Sequence, residues 1–138
     1  MPNFRFNHLH VVCQDLQTMV EFWTDVLGGH LLERRQFGSA DGATVDLGGV
    51  RIYLRLPKAG ENVVARGEEV VTGYDHICLR TNDFSGAVKL FMDHDCRMAS
   101  KPTCPGNSGT VFFYGPENIL IELKDDDSGK RTTMDSPW

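Results

Sequence analysis

One internal repeat constrains this chain more than any other feature. Asn7-His8-Leu9-His10-Val11-Val12 is answered by Asp75-His76-Ile77-Cys78-Leu79-Arg80, so two histidines stand 68 residues apart. The same offset relates Asp15 to Asp83, Val20 to Val88 and Trp23 to Phe91. Towards the end of each copy it becomes 69, setting Ile52-Tyr53-Leu54 over Ile121-Glu122-Leu123. Self-similarity at a fixed spacing marks one supersecondary unit made twice. A histidine opens each copy and a carboxylate closes the second, which suggests a pseudo-symmetric fold with a metal on its axis.

The elements follow from periodicity. Residues 4–14 alternate in strand fashion, with His8, His10 and Val12 on one face and Leu9, Val11 and Cys13 on the other. Asp15 offers a cap to a helix whose stripe is Leu16, Met19, Val20, Trp23, Val26 and Leu27. Gly28-Gly29 ends it. Strands are expected over 30–37, 43–47 and 50–56. Residues 38–42 read as a turn, and Gly48-Gly49 reads as a tight hairpin. That is β-α-β-β-β over 4–56, and residues 57–73 read as a polar connector. The second copy, 74–124, predicts a strand over 74–81, a helix over 84–95 capped by Asp83, and strands over 96–101, 109–114 and 119–124. Cys104 falls in a loop between them. Residues 125–138 read as a mobile tail.

Composition narrows the class. The chain has 138 residues, 41% hydrophobic and 24% charged, which suits a soluble globular protein of one domain or two small packed modules, able to bury its own core; the element pattern makes it α+β. A net charge of −5 argues against nucleic acid as a bulk partner. No apolar run reaches membrane-spanning length and no signal-peptide core opens the chain, so the expected location is cytoplasmic. Four cysteines without a CxxC pair are expected to be free thiols.

The segments NHLHVVCQDL, FWTDVLGG, YDHICLRTNDF and YGPENILIEL resemble the vicinal-oxygen-chelate superfamily of glyoxalase I, fosfomycin-resistance proteins, bleomycin-binding proteins and extradiol dioxygenases. The resemblance spans roughly residues 4–124. It implies two βαβββ modules forming an open barrel-like cleft, usually in a homodimer. It also implies metal ligands from the first and fourth strands of each module. Those positions here are His8, Tyr53, His76 and Glu122. His8, His76 and Glu122 are good donors for a divalent ion such as Fe, Mn, Ni, Co or Zn. Tyr53 departs from glyoxalase I, which resembles this chain but has a carboxylate there.

Around that set, His10 is a candidate general base or substrate donor, because imidazole titrates near neutral pH. Its alternative is an ordinary solvent-facing residue. Tyr53 is a candidate for hydrogen bonding to substrate or metal-bound water, or simply an aromatic wall. Arg80, Arg51 and Cys78 are candidates for binding substrate, the arginines because a planar guanidinium suits carboxylate or phosphate. The resemblance implies a glyoxalase-like lyase or isomerase acting on a small oxygenated, anionic molecule. An Fe(II) extradiol dioxygenase and a non-enzymatic, bleomycin-resistance-like binding protein stand as alternatives.

Overall fold

The structure is a computed structural model that describes residues 1–103 and 109–126. Cys104 and residues 127–138 therefore lie outside the described residues. The chain divides into two compact units, one from Met1 to Arg66 and one from Gly67 onward.

The first unit runs β1 (His8–Val12), α1 (Leu16–Glu21), a π-helical turn (Phe22–Val26), β2 (His30–Phe37), β3 (Ala40–Leu47) and β4 (Val50–Arg55). The second runs β5 (Ile77–Thr81), α2 (Phe84–Asp93), β6 (Arg97–Met98), β7 (Thr110–Tyr114), a short 3-10 turn (Pro116–Asn118) and β8 (Leu120–Asp125). Strand order is β1-β4-β3-β2 in one sheet and β5-β8-β7-β6 in the other. In each, the first strand pairs in parallel with the last, and the other pairings are antiparallel. The duplication read from sequence is thus a duplication of topology: two open, four-stranded mixed sheets, each carrying one helical segment, in a glyoxalase-like α+β fold.

Parallel pairing requires a crossover, and the helix after the first strand provides it. The cap residues fix where each helix starts. Asp15 accepts from the Thr18 amide at 3.0 Å and Asp83 from the Gly86 amide at 2.8 Å. Each answers one of the amides that a helix start leaves unpaired. The buried faces then meet the sheets. Met19, Val20, Phe22, Trp23 and Val26 are buried in the first unit, as are Ala43, Val45, Ile52 and Leu54 of the strands. Phe91 of α2 lies 5.0 Å, ring to ring, from Phe113, above buried Val111, Ile121 and Leu123. Because side chains alternate across a strand, burying Ile52, Leu54, Ile121 and Leu123 turns Tyr53 and Glu122 to the opposite face.

Several boundaries differ from the sequence reading, for physical reasons. β1 begins at His8, not residue 4: β4 starts at Val50, directly after the Gly48-Gly49 turn, so nothing remains for Phe4 or Phe6 to pair with. Likewise β5 begins at Ile77, so His76 sits just before its strand and not on it. The first helix follows its apolar stripe but widens: the Leu27 amide bonds the Phe22 carbonyl, a five-residue step. The strand expected over 96–101 shrinks to Arg97–Met98. The turn expected over 38–42 is shorter, and Asp41 and Gly42 lie within β3. Gly48 and Gly49 do form the tight hairpin, both with positive φ (59° and 87°). No helix among the described residues is long and apolar enough to cross a membrane.

The two helices end differently. Gly28 carries the left-handed φ of 73° that closes the first. At the end of α2 that conformation falls to Asp95, with φ of 56°. The Asp95 amide bonds the Met92 carbonyl and the Cys96 amide bonds the Phe91 carbonyl, which satisfies two orphan acceptors. A side chain in this region is strained by crowding against its own carbonyl. Asp95→Gly is therefore expected to raise unfolding stability by about 1 kcal/mol, and Asp83→Ala to lower it by about 1 kcal/mol. Urea denaturation of the two variants checks both signs.

Candidate metal and substrate site

In the second unit the register of β5 against β8 places Cys78 opposite Glu122. His76, two residues earlier, shares that face. Its Nε2 lies 3.0 Å from Glu122 Oε2, and its Nδ1 lies 2.8 Å from Asp75 Oδ2. The Phe112 ring meets the imidazole edge-on at 5.1 Å. His76 is thus held between two carboxylates. Its pKa is raised, first by the bond to Asp75 and then by Glu122, against an opposing desolvation. Cys78 lies beside the same carboxylate. Partial burial pushes its thiol up to about 11, with Glu122 adding to the effect and Lys124 and Arg80 opposing it. At neutral pH it is a thiol and not a thiolate, so its usefulness is as a weak donor, not as a nucleophile.

The first unit repeats this plan with different chemistry. His10 is opposite Tyr53 in the β1–β4 register, as Cys78 is opposite Glu122. His8 contacts Tyr53 as His76 contacts Glu122, but as a stacked pair with ring centroids 4.0 Å apart and planes 17° apart. His8 Nδ1 lies 2.6 Å from Asn7 Oδ1. An amide oxygen can only accept, so Nδ1 donates to it. Tyr53 is accordingly an aromatic wall against His8.

His10 meets Tyr53 edge-on at 5.7 Å and Phe37 at 4.8 Å. Its pKa is lowered by burial first, then by the charges of Arg55, His8 and Lys58. It stands neutral at neutral pH, with a lone pair available to take a proton. Phe37 reaches this position because residue 42 is glycine: a Cβ there would come within 2.5 Å of both the Phe37 ring and the Leu54 carbonyl. Arg35 lies over the Phe37 ring at 4.8 Å and near that of Tyr53 at 5.9 Å. It also borders a cavity of about 380 Å³ lined by Leu16, Arg34, Gln36, Asp41 and Gly42, and not by His10 or Tyr53. Beneath Tyr53 in the β3–β4 register, the buried Thr44 hydroxyl has no partner among the described residues.

His8, His10 and Tyr53 come together in one unit, and His76, Cys78 and Glu122 in the other. Arg51 and Arg80 are exposed on the same strand faces. Arg55, noted in the sequence as flanking Tyr53, is held by both carboxylate oxygens of Glu61 at 2.6 and 3.0 Å. Four contributors escaped the sequence reading. Asn7 and Asp75 were visible in the 68-residue offset, each directly before its histidine. Arg35 and Phe37 were not, since nothing in the second copy answers them.

The donors present suit a divalent ion. An imidazole and a carboxylate are donors such an ion takes, and their 3.0 Å separation is that of a hydrogen bond. A carboxylate behind the ligating imidazole is the usual orienting partner. Among the described residues, no group of three His, Cys, Asp or Glu side chains is placed to hold a metal ion. The second unit offers the His76–Glu122 pair.

The family model of the Glyoxalase/Bleomycin resistance protein/Dioxygenase superfamily matches residues 5–123, and the chain belongs to that superfamily. Among solved structures, it is similar to a glyoxylase/bleomycin resistance protein/dioxygenase domain from Frankia sp. EAN1pec, with 19% identity over 93% of this chain and 96% of that one and a TM-score of 0.75. It is similar to the fosfomycin resistance protein FosX from Mesorhizobium loti, with 20% identity, 86% and 89% coverage and a TM-score of 0.65. A mutant of FosX from Listeria monocytogenes, complexed with Mn(II) and 1S,2S-dihydroxypropylphosphonic acid, matches with 16% identity, 88% and 91% coverage and a TM-score of 0.70. No curated protein matches. At these identities the structural likeness shows the fold.

The opposite shifts of the two histidines are measurable. His76 is expected to titrate above the ordinary 6.5 and His10 below it. Because the folded pKa of His76 is the higher, its contribution to stability is complete below pH 6.5 and is lost as pH rises through the folded value. Imidazole NMR titration of metal-free protein checks this. Asp75→Asn should bring the His76 midpoint down and leave that of His10 in place.

Proposed function

We propose that the chain is a divalent-metal-dependent vicinal-oxygen-chelate enzyme, with His8, His76 and Glu122 holding the ion. The observation that carries this reading is the His76–Glu122 pair, an imidazole and a carboxylate 3.0 Å apart with Asp75 behind the ring. The same position of the first repeat supplies His8, whose ring is oriented by Asn7 through Nδ1. Two imidazoles and a carboxylate suit Mn, Fe, Co, Ni or Zn. The Mn(II) in the FosX complex supports a metal of this kind. Bound there, such an ion acts as a Lewis acid towards substrate oxygens and leaves positions open for them.

The chain's own residues then divide the remaining work. His10, neutral and two residues beyond His8, takes or returns a proton on the substrate. Tyr53 and Phe37 pack against the His10 ring and orient it. Arg51 and Arg80 attract a carboxylate or phosphonate, as does Arg35, which lies over Phe37 and pairs with Glu33 at 3.1 Å. Cys78, as a thiol, contributes a weak hydrogen bond beside Glu122. The substrate class this fits is a small oxygenated anion. The reaction class is proton transfer next to a metal-polarised oxygen, as in a lyase or isomerase.

Elemental analysis of protein purified without chelator is expected to find close to one divalent ion per chain. His76→Ala and Glu122→Ala should abolish retention without loss of fold by circular dichroism. His10→Ala should keep the metal and lower turnover by roughly 10²–10⁴. Oxygen uptake on a catechol by the iron-loaded protein would replace this reaction with ring cleavage. Metal-free protein that binds its ligand with unchanged affinity would replace it with simple sequestration.

A further inference from the structure

Asn7 and Asp75 occupy the same place in the two repeats and make the same bond to the histidine that follows. Asn7 Oδ1 lies 2.6 Å from His8 Nδ1, and Asp75 Oδ2 lies 2.8 Å from His76 Nδ1. Each ring nitrogen nearest the backbone is thereby occupied. The other nitrogen of His76, Nε2, meets Glu122 Oε2 at 3.0 Å. The bond is common to both repeats, but the acceptor is not. Asp75 is a carboxylate and Asn7 a neutral amide.

We propose that Asn7 and Asp75 are positioning residues that fix the tautomer of the two ligating histidines, and that their difference in charge makes them unequal. This rests on the metal-centre reading above. A carboxylate bonded to Nδ1–H draws the proton towards itself and places more electron density on Nε2, so His76 is the stronger donor. An amide orients the ring equally well but adds no charge, so His8 is the weaker donor. The chain thus builds one anchoring imidazole and one that exchanges more readily from two copies of a single motif.

Both residues are exposed, so substitution is compatible with folding. The test is Co(II) titration followed by its visible absorption, with affinity set by competition against a chelator and folding checked by circular dichroism. Asp75→Ala should weaken Co(II) by ~10–100-fold. Asp75→Asn, which keeps the bond and loses the charge, should recover part of that loss. Asn7→Ala should cost less than Asp75→Ala, and Asn7→Asp should bind more tightly than wild type. A folded Asp75→Ala within two-fold of wild type overturns the positioning role. An Asn7→Asp variant no tighter than wild type overturns the inequality. Wild-type protein that takes up no Co(II) overturns the metal-centre reading and this proposal with it, whereas wild-type uptake beside an indifferent Asp75→Ala overturns this proposal alone.

Discussion

The parallel pairing of the first and last strand of each unit is the constraint on which the rest depends. It sets His10 against Tyr53 and Cys78 against Glu122 in the same register. It also leaves each unit's leading histidine within reach of the residue on the last strand. A one-residue slip would turn every side chain of those strands to the opposite face. Burial forbids the slip: Ile52, Leu54, Ile121 and Leu123 are at most 3% exposed, and each lies one residue from Tyr53 or Glu122. The hydrophobic core of each sheet thus holds the polar side in place, although it takes no part in the chemistry.

Given one register, the two units diverge by substitution at equivalent positions. Tyr53 and Glu122 turn the same contact into an aromatic stack in one unit and an imidazole–carboxylate pair in the other. His10 and Cys78, next to them, are shifted in ways that suit different tasks: burial and neighbouring cations keep the imidazole neutral, while burial and Glu122 keep the thiol protonated. A duplicated fold can in this way place different side-chain chemistry at equivalent positions of one topology. The helix ends show the same freedom, with Gly28 and Asp95 meeting one conformational demand at different cost.

Much of this was legible in the chain because repetition is a statement about topology. His8, Tyr53, His76 and Glu122 could be matched across copies, and their contacts within each unit follow the match. Strand ends were less legible, because pairing ends where the partner runs out. Phe4 and Phe6 alternate like strand residues yet have no β4 residue to face. Phe37 and Arg35 could not be found by repetition at all, since the strand equivalent to β2 is cut to Arg97–Met98. Their place depends on Gly42, a residue whose importance lies in the side chain it lacks. The widened turn after α1 was hidden for another reason: an apolar stripe records which face is buried, not whether a hydrogen bond spans four residues or five.

The central claim is that His8, His76 and Glu122, far apart in sequence, serve one ion. The most direct measurement is a crystal structure of the Co(II)-loaded protein with anomalous difference maps recorded at the cobalt edge. The account predicts one strong peak per chain, bonded to the Nε2 atoms of His8 and His76 and to the carboxylate of Glu122, with the Nδ1 atoms still bound to Asn7 and Asp75. A peak bonded to other side chains, or one that leaves any of the three out of coordination, would contradict it.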